Sequence, residues 1–189
     1  MFPPERIVCL TEETVETLYL LGEDRRIVGV PGYAMRPPQV RRDKSRVSAF
    51  ISADVPKILA LKPDLVLTFS DLQADIVGEL IRNNVAVHAF NQRDIEGILD
   101  MICTLGALVG VSEKANALAS SLAAHVDTVH TRSLQFACRP HIYFEEWDEP
   151  MISGIAWVSE LIEAPAVSMC FRRLLRARMP RIASSPQVK

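Results

Sequence analysis

In the first half of the chain, short unbroken apolar runs alternate with longer stretches whose apolar residues fall three and four apart. The first rhythm marks strands buried on both faces, and the second marks amphipathic helices. Residues 6–10 form the first run. Thr11 follows as the expected N-cap of a helix, with Glu12, Glu13 and Glu16 near its positive end. Val15, Leu18, Tyr19 and Leu21 make the apolar stripe, and Gly22 is the expected stop. Residues 27–30 read as a second strand. A loop rich in proline and arginine spans 31–46, longer than connection alone requires. An extended piece at 47–50 leads out of it.

The clearest pattern is 55–69, V-P-K-I-L-A-L-K-P-D-L-V-L-T-F. Val55, Ile58, Leu59 and Leu61 share one helix face. Pro63 ends the helix, since proline restricts the residue before it and removes a donor. Asp64 turns the chain into Leu65-Val66-Leu67, a strand buried on both faces. That strand delivers Phe69, Ser70 and Asp71 to its carboxyl end, where open α/β sheets bind ligands. A helix over 71–83 carries Leu72, Ile76, Leu80 and Ile81, and 85–90 is the next strand. Strands separated by helices predict a parallel sheet with right-handed crossovers. A first, Rossmann-like α/β lobe therefore occupies 1–91.

Residues 92–138 are a linking helical region. Ile95, Ile98, Leu99, Ile102, Leu105 and Leu108 hold helical spacing; Gly110-Val111-Ser112 interrupts it, and Leu118, Leu122 and Val126 resume it. Periodicity leaves two arrangements open: one long linking helix or two consecutive helices. A strand at 140–144 and a helix at 156–163 begin a second α/β lobe over 139–163. The tail, 164–189, holds Arg172, Arg173, Arg176, Arg178 and Arg181 and little strand pattern.

Composition narrows the function. The apolar fraction is 49% and the charged fraction 23%, which excludes global disorder. A net charge of −2 without a basic stripe argues against nucleic acid and anionic membrane as partners. Cys9, Cys103, Cys138 and Cys170 include no C-x-x-C pair, so no zinc or redox motif is present. Cys9 and Cys103 fall in apolar elements and are expected as buried small hydrophobes. The sequence opens M-F-P-P-E-R-I-V without a basic and apolar leader, so the chain as written is expected in the cytoplasm. Enzyme signatures are missing: G-x-S-x-G, the P-loop, H-E-x-x-H and G-x-G-x-x-G do not occur. His125 and His130, five apart on a helix, are expected at the surface, and His88 as a satisfied core histidine.

Several segments carry a resemblance. "ILALKPDLVLTF" resembles a segment shared by the substrate-binding proteins of ABC importers for cobalamin, haem and iron–siderophores, whose two lobes are joined by a rigid helix. "RIVCLTEETVETLYLLGEDRRIVGV" resembles the opening strand, helix and strand of that family, and "GYAMRPPQV" the loop that follows. "YFEEWDEPMISGIAWVSELIE" resembles the start of its second lobe, most closely in cobalamin-binding members. The resemblance covers about residues 6–163. It implies an α/β fold with one parallel-sheet lobe, a long linking helix and an incomplete, truncated second lobe. It also implies a non-catalytic periplasmic protein that holds its ligand between lobes.

The family places two glycines, a polar stretch and a Phe after the segment matching 159–163. Here the sequence reads Ala164-Pro-Ala-Val-Ser-Met-Cys-Phe. Codons permitted for 164–172, read one base out of frame, encode Ala-Gly-Gly-Val-Asp-Val-Phe-Pro, the family pattern. The expectation is therefore a frameshift near Glu163.

Strand ends in this arrangement supply Thr11, Glu12, Tyr33, Phe50, Phe69, Ser70, Asp71 and Asn91 from the first lobe. The second lobe adds Glu145, Glu146, Trp147, Asp148 and Trp157. An aromatic set with a few polar groups suits a large, flat, partly apolar ligand. The candidate ligand-binding residues are Tyr33, Phe50, Phe69, Ser70, Glu145, Glu146, Trp147 and Trp157; no catalytic or metal-ligating residue and no resident cofactor is expected. The resemblance implies aromatic contacts to a corrinoid at Phe50, Phe69 and near Tyr33, with Phe in place of the more usual Trp at the first two. Cobalamin or another corrinoid is the expected ligand, with haem or a ferric chelate next. The importer's membrane subunits are the implied partners, but the family's first-lobe docking glutamate is absent at or beside Pro56. Two other readings remain open: a cytoplasmic corrinoid- or tetrapyrrole-handling enzyme, and an inactive truncated remnant.

Overall fold

The structure, a computed structural model, describes residues 3–138, 140–165 and 168–169. The chain divides into two compact units, 1–125 and 126–189.

The first unit is built on β1 (Ile7–Cys9), α1 (Glu12–Leu20), β2 (Ile27–Pro31), α2 (Val40–Asp43), β3 (Ser45–Ser48), α3 (Val55–Ala60), β4 (Leu65–Phe69), α4 (Ala74–Arg82), β5 (Val87–Phe90) and α5 (Ile95–Leu108). The strands form one five-stranded sheet in the order β3-β2-β1-β4-β5, and every pairing is parallel. β1 is central because its residues have no polar side. Ile7, Val8, Cys9 and Leu10 are all fully buried. Ile7 and Cys9 join Leu65 and Leu67 in a core closed by Val15 and Leu18 of α1 and Met101, Ile102 and Leu105 of α5. Val8 and Val66 face the other way, into Ile58 of α3 and Ile76 and Leu80 of α4. The unbroken apolar run at 65–67 is thus a strand covered on both faces, as expected.

Local chemistry sets the turns. Gly22 ends α1 with φ +74°, its N–H donating to the Tyr19 carbonyl and that of Glu23 to the Leu18 carbonyl. Glycine adopts that left-handed geometry without steric cost. Thr11 occupies the N-cap position of α1 in extended backbone but makes no side-chain cap bond; its hydroxyl turns instead toward that of Thr14, 3.4 Å away. Asp54 caps α3, accepting from the Lys57 N–H at 3.0 Å. The Lys62-Pro63-Asp64 turn is clamped to the start of β1. Asp64 accepts from the Glu5 and Arg6 N–H groups at 2.8 and 3.0 Å, and the Arg6 guanidinium donates to the Leu61 carbonyl at 2.6 Å.

Three expectations change. The segment 31–46 is not all loop: Val40 is fully buried and folds 40–43 into α2, and β3 starts at Ser45 rather than 47. In the helix expected over 71–83, Leu72 and Ile81 are exposed, at 43% and 58%, and only Ile76 and Leu80 reach the core. The region 92–138 holds two helices, α5 and α6 (Ser112–Ser133), broken at Gly110 with φ +79°. Met101, Leu105, Val109, Ala115 and Ala119 all pack into the first unit's core. The division between units falls inside α6.

The second unit contains β6 (His141–Ile142), β7 (Trp147–Asp148), β8 (Met151–Ile152), α7 (Ala156–Glu163) and β9 (Ser168–Met169). β6 pairs in parallel with β9, and β7 with β8 in an antiparallel hairpin. The strand expected at 140–144 is only two residues long, because the chain leaves it at Tyr143 for the hairpin. Of the stretch 164–189, residues 166–167 and 170–189 lie outside the described residues, Cys170 among them.

At the amino edge of the sheet Arg26, 5% exposed, donates to Glu23 Oε2 at 2.6 Å, to the Pro4 carbonyl at 2.7 Å and to Glu5 Oε1 at 2.8 Å. Glu23 is itself only 6% exposed. Removing one partner of such a pair strands a buried charge. Arg26→Met is therefore expected to lower unfolding free energy by about 3 kcal/mol, measured by urea denaturation.

Candidate functional site

The carboxyl ends of β1, β2, β3 and β4 gather Thr11, Tyr33, Phe50, Phe69 and Ser70 along one edge, where uncharged hydrogen bonds tie the loops together. The Tyr33 hydroxyl, on the loop after β2, donates to the Leu10 carbonyl at 3.1 Å. Its ring meets that of Phe50 edge to face, centroids 6.1 Å apart. Phe50 is 41% exposed, so its ring is available to a ligand. Phe69 is half-buried and packs partly against the core. The Arg93 guanidinium lies over the Phe69 ring, 5.4 Å from its centroid. Arg93 also bonds Asn91 Oδ1 at 3.1 Å and approaches Asp71 at 3.7 Å.

Gln73 ties these loops together. Its side chain has no exposed surface. Nε2 donates to the Phe50 carbonyl at 2.8 Å and the Leu10 carbonyl at 3.3 Å, while Oε1 accepts from the Phe69 N–H at 3.0 Å. Ser70 closes the gap to β5: its N–H donates to the Phe90 carbonyl at 2.8 Å, and its Oγ accepts from the Leu72 N–H at 3.3 Å. Ser70 adopts φ 58°, ψ 178°, a region that costs a residue with a Cβ about 1–3 kcal/mol.

Acidic groups line the same edge. Glu12 Oε1 accepts from the Met35 N–H at 2.9 Å, and Glu13 Oε1 accepts from Gln92 Nε2 at 3.3 Å. Burial raises the Glu13 carboxyl above its ordinary pKa, against the hydrogen bonds that lower it. Burial, then the charges of Glu13 and Glu12, raise the Tyr33 phenol. Beneath the edge, burial pushes the Cys9 thiol up to about 12, so it stays protonated.

His88 is not a satisfied core histidine. It is half-buried on an end strand of the sheet, edge to face with Phe90 at 4.3 Å, and burial lowers its pKa. With Phe90, Gln92, Asp100, Met101 and others it lines a shallow hollow of about 350 Å³. That hollow includes none of Tyr33, Phe50, Phe69 or Ser70.

The remaining expected site residues lie in the second unit. Glu145 accepts from the Tyr143 hydroxyl. The Glu146 N–H donates to the Ile152 carbonyl at 2.8 Å. Trp147 is 61% exposed, its indole N–H donating to the Glu149 carbonyl at 3.1 Å. Trp157 is half-buried on α7.

The profile of the family described as "Periplasmic binding protein" matches residues 7–172. The chain belongs to this family. A cobalamin-binding protein of Halobacterium salinarum is 26% identical over 168 residues, covering 85% of this chain and 44% of that protein. The chain thus spans less than half the length of this relative. Among solved structures, a possible iron-binding periplasmic solute-binding protein from Staphylococcus epidermidis superposes with a TM-score of 0.77 at 19% identity, over 88% of this chain and 67% of that one. The periplasmic vitamin B12 binding protein BtuF of Vibrio cholerae gives 0.67 at 23% identity, over 80% and 59%. These two likenesses establish the fold. The family is one of binding proteins, and the α/β lobe seen here is its architecture.

Sequence reasoning passed over Gln73, Gln92 and Arg93, and placed Glu13 only at a helix N-terminus. A glutamine one turn after a buried strand is an unremarkable surface residue by pattern; only its position under three strand ends reveals its bonds. Arg93 had a signal, a cation beside the last strand end.

Ser70→Ala keeps the positive φ and loses the hydroxyl acceptor, whereas Ser70→Gly loses the hydroxyl and releases the backbone. Ser70→Gly is expected to be more stable than Ser70→Ala by about 1 kcal/mol, read from paired thermal melts.

Proposed function

We propose that this chain is the ligand-binding portion of a non-catalytic substrate-binding protein of an ABC importer, and that its ligand is cobalamin or another corrinoid. The observation that carries the reading is the aromatic edge. Tyr33, Phe50 and Phe69 follow β2, β3 and β4, on either side of the central β1, and the Tyr33 hydroxyl and the Gln73 amide bond the main chain around them. Rings fixed in this way offer broad apolar area at little entropic cost, which suits a large planar macrocycle. The similarity to a cobalamin-binding protein of Halobacterium salinarum supports the corrinoid choice. Glu12 and Glu13 on the same edge offer acceptors to the neutral amides of a corrin rim. Trp147 gives the second unit an exposed aromatic face of its own, with Glu145 and Glu146 beside it and Trp157 on the following helix.

The importer's membrane subunits are the partners in this reading. Pro56 and Lys57 stand exposed in the first turn of α3, where the resemblance would place a docking glutamate. Docking through this lobe therefore has to use other groups than a carboxylate at that position.

Calorimetric titration of the purified chain with cobalamin, with haemin and a ferric siderophore in parallel, tests the proposal. Saturable binding of cobalamin in preference to the other two is expected. Phe50→Ala and Phe69→Ala should each weaken it about tenfold, the loss of one aromatic contact. A folded, monodisperse chain that binds none of the three would overturn the reading.

A further inference from the structure

Gln73 is a polar side chain with no access to water, placed where an apolar one would satisfy packing alone. Both its donors and one acceptor lone pair are used, and each partner is main chain from a different strand end: Leu10 after β1, Phe50 after β3, Phe69 in β4. Two carbonyls on one side of the amide and an N–H on the other leave only one orientation that makes all three bonds. No other neutral side chain offers two donors and an acceptor in one plane at this length. Leu10 also accepts the Tyr33 hydroxyl, so the loop after β2 is tied to the same point.

We propose that Gln73 is the positioning residue of the ligand edge: its single amide sets the separation of Phe50 and Phe69 and, through the Leu10 carbonyl, the place of Tyr33. This deepens the binding function proposed above and rests on the same edge being the ligand site. The side chain touches no ligand. It acts by fixing loops 48–54 and 69–73 before binding, so that a ligand meets rings already in place rather than ordering them itself.

The inference is tested by two variants in the full chain, Gln73→Met and Gln73→Glu, each read in two ways. The first reading needs no ligand: amide hydrogen exchange, as a ratio to the wild type at the same pH. The Phe69 amide, which donates to Gln73, and the Ala49 amide, which donates to the Ser52 carbonyl within the tied loop, report the edge. The Leu10 and Val66 amides, bonded to the Leu67 and Ala86 carbonyls, report the sheet. In Gln73→Met, exchange at Phe69 and Ala49 is expected to rise at least about tenfold with Leu10 and Val66 unchanged, as the Phe69 bond is lost and the loop that carries Ala49 is untied without global opening. Gln73→Glu places a carboxylate against two carbonyls. At neutral pH it keeps an acceptor for the Phe69 N–H but loses both donors, so exchange should rise at Ala49 in the untied loop, and should recover in part as pH falls and the introduced acid supplies one donor; a purely packing role would show no such recovery.

The second reading is cobalamin affinity, expected to fall about tenfold in Gln73→Met and to follow the same pH dependence in Gln73→Glu. Unchanged exchange at Phe69 and Ala49, or equal acceleration at all four amides, overturns the positioning role. If Gln73→Glu does not fold, Gln73→Met alone decides by the same criterion. If the wild type binds no cobalamin, the corrinoid reading fails while the exchange ratios still judge Gln73. If cobalamin binds and both variants bind it as tightly as wild type, the proposal for Gln73 fails while the function stands.

Discussion

A parallel strand without a polar face must be covered twice, and the first unit is arranged to meet that constraint. Ile7, Val8, Cys9 and Leu10 leave β1 no side that tolerates water. Its flanking strands supply hydrogen bonds along both edges, and helices close both faces: α1 and α5 on one, α3 and α4 on the other. Once β1 is buried in the middle, every strand points its carboxyl end the same way. The loops that follow β1, β2, β3 and β4 then emerge side by side. The aromatic edge is a by-product of that parallel direction.

The two ends of the sheet are secured by different chemistry. At the amino end, Arg26 with Glu23 and Glu5, and Asp64 with the start of β1, use charge. At the carboxyl end, Gln73, Ser70 and Tyr33 use neutral groups bonded to main chain. Buried ion pairs bring a large desolvation penalty that close geometry must offset, whereas an amide brings a smaller one that its hydrogen bonds can meet. A ligand edge held by neutral bonds leaves the field at that surface to Glu12, Glu13 and Arg93.

Much of this architecture is legible in the sequence because burial writes itself as pattern. The run at 65–67 and the stop at Gly22 appear where residue types alone place them. The break near Gly110 does too, although periodicity could not choose between one helix and two. What pattern hides is chemistry that depends on distant partners. Val40 looks like a loop residue until it is seen beneath the first core. Leu72 and Ile81 match the helix stripe yet face solvent. Gln73 carries no periodic signal, because its three partners are 4, 23 and 63 residues away. Tyr33, Phe50, Phe69 and Ser70 come together on one edge as strand-end logic expects; Glu145, Glu146, Trp147 and Trp157 lie in the second unit, whose short strands have little pattern to read.

Strand order also has a history in time. Of the strands in this sheet, β1 is synthesised first. One of its edges finds β2 soon afterwards, Ile7 opposite Ile27, but the other waits for Leu65. The clamp of Asp64 onto Arg6 closes a separation of 58 residues. Until that much chain has been made, the most apolar strand of the unit keeps a bare edge. Non-local parallel pairing of this kind is slow and exposes apolar surface while it is incomplete. The strand that anchors the finished sheet is therefore also one whose pairing is completed late, an apolar segment with one open edge until β4 arrives.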